Sequence, residues 1–384
     1  MKTAAVIAEF NPFHNGHRFL ADFARKSGVD FLIAIMSGDF TQRGEPAIFD
    51  KFTRARTAVE NGYDAVFELP TVYATSSAPD FAFGGVSLAS SLASIDYLVF
   101  GSESGDIEKI KRAASFLENE PEDFKEKVRA LQKNGLSYPA ALSEAIKDHP
   151  EISPGLFSNP NDTLGIEYVR SLLRLGCSIT PLTTARYGAM HDSTAAFTAE
   201  DGSVFTSSSF IRKTLRESGK KNEGLPIFPE DLSLPVCTAL LKENAASLSE
   251  YLGSDKDIAN RILKLFPQTT GFEEMKTTLC HKQQTAATYS RVLLHMLLDI
   301  HPEDRTAPKA ARLLALKRES SHMLKTLQDR SLIPIITKPA DHDLTTGPLT
   351  RKDHYAADLY SLIRANKYNL RTYTPDIAMS PEII

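Results

Sequence analysis

The chain has 384 residues, enough for two domains with real cores, since a single core stops growing at about 250 to 300 residues. Hydrophobic residues at 42% and charged residues at 24% are ordinary globular proportions, and no apolar run approaches the ~18 residues of a membrane-spanning helix, which excludes that class. A net charge of −4 argues against a chain built throughout to coat nucleic acid. The charge is uneven, however: residues 1–104 carry 8 Lys+Arg against 12 Asp+Glu, and residues 275–330 carry 10 against 5. Cys177, Cys237 and Cys280 are odd in number and too widely spaced for a zinc motif, as expected where thiols stay reduced. The opening MKTAAVIAEFNPF is too short in apolar residues for a signal peptide, so a cytoplasmic protein is expected.

Apolar runs of strand length recur at Ala4 to Phe10, Phe31 to Met36, Ala65 to Leu69, Tyr97 to Phe100 and Ser178 to Leu182. Stretches of helical period fall between them, at Gly16 to Arg25, Lys51 to Asn61, Ala82 to Leu92 and Ile107 to Leu117. Strand alternating with helix predicts an α/β, doubly wound parallel sheet of Rossmann-like type. Residues 106–175 read as a helical insert, with a helix starting after Asn161 or Asp162. This first domain spans 1–218. The Gly-, Pro- and charge-rich segment 219–235 is the best linker, and 236–384 reads as a mainly helical, partly basic domain. Its predicted helices are Ala239 to Leu252, Thr288 to Ile300, Ala310 to Leu327 and Asp353 to Ala365. Arg291, Arg305, Lys309, Arg312, Lys317, Arg318 and Lys325 would give it a basic face able to track an RNA backbone, or one merely solvated.

The sharpest local signal is His14-Asn15-Gly16-His17, directly after the first strand and at a helix start. A helix N-terminus offers unpaired N–H groups and positive dipole to phosphates. Glycine lets backbone approach closely, and two imidazoles supply donors for charge growing on phosphoryl oxygens as the α-phosphorus is attacked. The alternative is that His14 caps the helix and His17 packs in the core. A second signal is Ser207-Ser208-Ser209-Phe210-Ile211-Arg212, where serine hydroxyls can cap a helix or face phosphates and Arg212 lies one turn in.

These two elements resemble the HxGH nucleotidyltransferase superfamily, with its first loop GxFDPxHxGH and its later ISSTxIR; Glu9 and Asn11 depart from the usual pattern there. Read with SGDFTQRGEPAIFDKFTRARTAVENGYDAVFELP, FGSE and PNDTLGIEY, the chain is similar to the bacterial tRNA(Met) cytidine acetate ligase family over nearly all of residues 1–215 and more weakly to about 340. The resemblance implies an enzyme that converts ATP and acetate to acetyl-adenylate, then passes acetyl to N4 of the wobble cytidine of elongator tRNA(Met). Mg²⁺ is expected with the ATP.

Carried over residue by residue, the resemblance implies ATP contacts at Ile7, Ala8, Glu9, Phe10, Asn11, Pro12, Phe13, His14, Asn15, Gly16, His17, Arg18, Phe19 and Leu20, then at Gly101, Asn161, Arg186 and Tyr187, with Ser207 and Ser208 beside them. His14, His17 and Arg212 are the expected catalytic residues. Gly101 equally suits a plain turn, Asn161 a helix cap, and Arg186 a solvated surface. Ser37, Gly38, Asp39, Gln42, Arg43 and Lys51 follow the second strand, where acetate or the target base would enter; Asp39 would orient the cytosine amine, hold Mg²⁺ through water, or serve only as a turn residue. Two other readings compete: an adenylyltransferase acting on a small phosphorylated metabolite, to which the helical half would be surplus, and a non-catalytic RNA-binding protein with a vestigial nucleotide site.

Overall fold

The computed structural model describes residues 1–150, 152–185, 197–198, 204–205, 207–218, 224–342 and 351–384. In chain order the first half gives β1 (Thr3–Ala8), α1 (Asn15–Lys26), β2 (Phe31–Ser37), α2 (Lys51–Glu60), β3 (Ala65–Leu69), α3 (Thr71–Ala74), α4 (Ala78–Ser91), β4 (Tyr97–Ser102) and α5 (Ile107–Glu118). The insert follows as α6 (Glu122–Lys133), α7 (Tyr138–Ala145) and α8 (Pro160–Leu175), then β5 (Thr180–Ala185), β6 (Phe197–Thr198), β7 (Val204–Phe205) and α9 (Ser208–Ser218). The second half gives α10 (Ser233–Leu240), α11 (Ala245–Leu248), α12 (Lys256–Leu265), α13 (Phe272–Leu279), α14 (Ala286–Leu298), β8 (Ala311–Leu316), α15 (Ser321–Arg330), β9 (Ile335–Ile336), α16 (Arg351–Lys367) and β10 (Glu382–Ile383).

The five predicted strands are present and parallel, in the order β3-β2-β1-β4-β5. The order reverses between β1 and β4, so the crevice beyond their carboxyl ends is where a sheet of this kind takes its ligand. Successive β1 and β2 residues point to opposite layers. Ala5, Ile7, Ile33 and Ile35 join one core with α4, α5 and α8, while Val6, Leu32, Ala34 and Met36 join another under α1 and α2. Burial on both faces explains why these strands read as unbroken apolar runs. A third core, with Leu232, Val236, Ile262, Phe272, Leu293 and Tyr360, holds the helical half together.

Two predicted helices are corrected. Ala310 to Leu327 is not one helix: its first part is β8, which runs antiparallel beside β3 and carries β10 on its other side, and only Ser321–Arg330 is helical. All six residues of β8 are buried, and a short apolar run buried on both sides has no period to tell strand from helix. Ala239 to Leu252 is broken, because Asn244 takes an extended conformation and its side chain accepts from the Ala246 and Ser247 N–H groups, starting a new short helix.

The expected basic face changes with β8. Arg312 is 4% exposed and lies among carboxylates, its guanidinium on Asp376 and 3.5 Å from Glu68 Oε2. Arg291 donates to the Gln42 carbonyl, and Arg305 pairs with Asp80. Lys309, Lys317, Arg318 and Lys325 are exposed.

Candidate functional site

The helix start after β1 is built by the two histidines. His14 is the N-cap of α1: its Nδ1 accepts from the Gly16 N–H at 3.0 Å, and the His14 N–H donates to His17 Nδ1 at 3.2 Å. This is a reciprocal capping box made with imidazoles. The rings stack at 3.8 Å between centroids, 23° from parallel. Since Nδ1 of each ring accepts, each is neutral with its proton on Nε2, the nitrogen aimed away from the cap. A side-chain carbon on Gly16 would stand 2.8 Å from His14 Cε1, so glycine is needed here for the ring to fold over the helix start. Both functions weighed from the sequence, cap and donor, therefore fit the same two side chains.

The segment before the motif is held from three sides. Phe10 sits at φ +45° with its ring buried against Phe13, His17 and Tyr63, and the Tyr63 hydroxyl donates to the His17 carbonyl at 3.2 Å. β1 ends at Ala8, short of the predicted Phe10, because the chain turns here. Asn11 Oδ1 accepts from Ile48 N at 2.7 Å. The second sequence signal comes to the same place from two hundred residues away: Ser208 Oγ donates to the Pro12 carbonyl at 3.2 Å and Arg212 Nη1 to the Asn11 carbonyl at 2.6 Å. Ser207 is buried and caps α9, its Oγ accepting from Phe210 N. Thus His14, His17, Ser208 and Arg212 meet around Asn11-Pro12.

Other expected contacts spread from there. Ile7 and Ala8 close β1, Ile7 buried. Asn15 and Arg18 are exposed on the first turns of α1, Phe19 is half-buried, and Leu20 is buried in the core. Arg18 lines an open cleft of about 480 Å³ with Asp22, Asn61 and Lys317, beside the end of α2 rather than at the helix start. Gly101 lies near the end of β4, paired with Thr184. Asn161 is not the cap of α8, which starts at Pro160 after Asn159; its Nδ2 donates to Glu103 Oε1 at 2.6 Å, drawing the start of α8 onto the loop after β4. Arg186 and Tyr187 lie outside the described residues.

The loop after β2 behaves differently from expectation. Lys51 does not line an entrance: it is 1% exposed, with its Nζ 2.7 Å from Glu68 Oε1 and 2.9 Å from Asp376 Oδ1. Asp376 also takes His354 Nδ1 at 2.7 Å and the Arg312 guanidinium. The Lys51 and Arg312 charges and the His354 hydrogen bond hold the Asp376 carboxyl far below its ordinary range despite burial. Asp39 is buried, and its Oδ1 accepts from Lys51 N at 2.7 Å.

Burial lifts Asp39 to about 7, against the opposing charges of Lys51 and Arg54. A carboxyl whose folded pKa exceeds its unfolded value of about 4 keeps a proton that the unfolded chain releases, so its stabilisation is full at low pH and is lost as pH rises to about 7. D39N keeps the acceptor for Lys51 N–H and removes the charge. Its urea midpoint is therefore expected to fall less than that of the parent chain between about pH 5 and pH 8; parallel curves would refute the shifted carboxyl.

One residue that the sequence patterns do not single out ties the loops together. Arg54, 1% exposed, donates from Nη1 to the carbonyls of Glu9 at 2.6 Å and Ser37 at 3.1 Å, from Nε to that of Phe49 at 2.8 Å, and from Nη2 to that of Gly38. It joins the ends of β1 and β2 to the start of α2. The signal for it is its phase: Lys51, Arg54, Ala55 and Ala58 share one helix face, and that face is buried. On the other side, Gly44 sits at φ +72° against the backbone of Arg291, and Ser290 Oγ donates to its carbonyl at 2.9 Å, so the loop lies between the sheet and α14.

Glu9 stands inside this frame, half-buried, with Oε1 accepting from Gln42 N at 2.7 Å. Loss of hydration raises its pKa, opposed by the Gln42 hydrogen bond and the charges of Arg43, Arg212 and Arg54. Arg212 is pressed below its ordinary value by burial and by Arg43, with Glu9 acting the other way. Among the described residues no group of three His, Cys, Asp or Glu side chains could hold a metal ion. No described helix is long and apolar enough to cross a membrane.

Residues 1–374 match the profile of the HIGH Nucleotidyl Transferase family. The chain is 33% identical over 394 aligned positions to the tRNA(Met) cytidine acetate ligase of Thermoanaerobacter sp. (strain X514), covering 95% of this chain and 96% of that one. This chain belongs to the tRNA(Met) cytidine acetate ligase family. The family member from Acetivibrio thermocellus is 32% identical over 400 positions, with the same coverage. Among solved structures, the Thermotoga maritima member TmcAL bound with alpha-thio ATP superposes with a TM-score of 0.87 at 26% identity over 100% of both chains, and its apo form with 0.86. The resemblance read from the separated sequence blocks is thus borne out over the full acetate ligase fold.

Proposed function

We propose that this chain is an ATP-dependent acetate ligase that forms acetyl-adenylate and transfers the acetyl group to N4 of the wobble cytidine of elongator tRNA(Met) in the cytoplasm. The observation that carries this reading is the meeting of the stacked His14–His17 pair with Ser208 and Arg212 at Asn11-Pro12, in a chain of this family. ATP, with Mg²⁺ on its phosphates, would lie over the α1 N-terminus, against the segment Ile7 to Leu20, the end of β4 at Gly101 and the start of α8 at Asn161; the family resemblance adds Arg186 and Tyr187, outside the described residues, to the expected contacts. The two Nε2–H donors, at the positive end of the α1 dipole, would face the α-phosphate, and Arg212 the outer phosphates.

Acetate oxygen attacks the α-phosphorus; the new O–P bond forms as the bond to pyrophosphate breaks. The histidines need not be nucleophiles. Their neutral state is the one the capping box holds. Acetate alone is a poor acyl donor because oxide would have to leave, whereas acetyl-adenylate releases AMP, a far weaker base. The cytosine amine is a weak nucleophile, so activation comes from the acyl side and precedes the need for RNA. The parent chain with ATP, Mg²⁺ and labelled acetate is expected to form acetyl-adenylate without tRNA, and added tRNA(Met) to take up the label. Label that reaches AMP only with tRNA present would refute the independence of the steps. Label that never reaches it, or pyrophosphate released without acetate, would refute the ligase reading in favour of adenylyl transfer elsewhere.

A further inference from the structure

The adenylation step moves no proton, but the transfer step does. The cytosine amine gives one up when it becomes an amide. A carboxylate beside a site for triphosphate and acetate works against binding those anions, so its presence needs a reason. Glu9 is such a group. It follows β1 directly, five residues before His14, and its Oε1 is pinned by Gln42 N at 2.7 Å. Its main-chain carbonyl is pinned by Arg54 at 2.6 Å. Among the described residues the second carboxylate oxygen has no hydrogen-bond donor. The groups whose charges act on Glu9 are cations: Arg43 from the loop after β2, Arg212 from α9 and Arg54 from α2.

We propose that Glu9 is the proton acceptor for acetyl transfer, a catalytic residue for the second step. The proposal rests on the ligase reading above. The N4 lone pair attacks the acetyl carbonyl carbon and the C–N bond forms. The C–O bond to the phosphate breaks, its electron pair leaving with AMP, and the N4 proton passes to the second carboxylate oxygen of Glu9. That proton is later lost to solvent. Loss of hydration lifts this carboxyl above its ordinary range, which makes its carboxylate form the better base, while the Gln42 hydrogen bond and the charges of Arg43, Arg212 and Arg54 oppose that rise.

Glu9→Gln keeps an oxygen for the Gln42 N–H and removes the base. Single-turnover transfer from preformed acetyl-adenylate to tRNA(Met) is expected to fall at least a hundredfold more than acetyl-adenylate formation from ATP and acetate, the scale of a lost general base. Glu9→Asp should recover part of the transfer rate. In the parent chain transfer should be lost as pH falls through a carboxyl pKa above the ordinary range, and this dependence should vanish in E9Q. A ratio of losses under tenfold, or an unchanged pH profile in E9Q, overturns the proposal by leaving Glu9 only a role in binding or in balancing the arginines. A parent chain that makes no acetyl-adenylate overturns the ligase reading itself, a result distinct from either.

Discussion

Replacing His14 or His17 with Ala is expected to lower acetyl-adenylate formation by about 10²- to 10³-fold, the usual loss when one preorganised donor to a developing oxyanion is removed. The same change costs only about 1 kcal/mol of stability, the scale of a lost N-cap. The two effects are separable at position 14. Asn is a good N-cap but has no equivalent of Nε2–H on that side of the helix start, so H14N should keep the stability of the parent chain and still lose adenylation. Because each ring fixes the other through the capping box and the 3.8 Å stack, the double Ala variant should lose little more than the worse single one. Pyrophosphate release from H14N near the parent rate would mean that the imidazole does no more than cap.

The largest stability loss is expected at Arg54. Its guanidinium satisfies the carbonyls of Glu9, Ser37, Gly38 and Phe49 from a position that is 1% exposed. Arg54→Met fills much of the space but leaves those acceptors without donors, at about 1–3 kcal/mol for each that stays buried, and a total of at least about 3 kcal/mol is expected after partial relaxation. Arg54→Lys should recover only part of this, since a single ammonium cannot reach donors spread over a planar fork. Urea denaturation measures the loss directly. Adenylation should fall with it, because the ends of β1 and β2 lose their common anchor. An R54M chain with an unchanged midpoint would show that those carbonyls find other donors.

Much of the first half is legible in the order of its residues alone. Five strands read correctly because parallel strands covered on both faces are plain apolar runs, and HNGH and SSSFIR can be weighed together because each sits at a helix start. Chemistry between distant segments is what a linear pattern hides. Arg312 reads as part of a basic helix, but its environment is decided by Glu68 and Asp376, and no local pattern encodes them. Lys51 is misread for the same reason: a lysine near a site passes for a substrate ligand until a buried pair of carboxylates is found around it. Glu9 is visible in the sequence only as a departure from the superfamily's first loop, and the contacts with Gln42 and Arg54 that hold it need the fold.

The sheet has a consequence for how the chain is made. β3 is not an edge: β8 covers it, and β10 covers β8, so a sheet begun at residue 3 is finished at residue 383. On the ribosome, β1 to β5 emerge first, and the flank of β3 stays bare until β8, which begins at residue 311, has been synthesised. Lys51 and Glu68 wait too, for the carboxylate of Asp376 and the guanidinium of Arg312. A nascent chain halted before residue 311 would carry the histidine motif on an unfinished sheet, with an open strand edge ready to pair with another copy. The last strands are thus the closing stitch of a sheet begun at the other end of the chain.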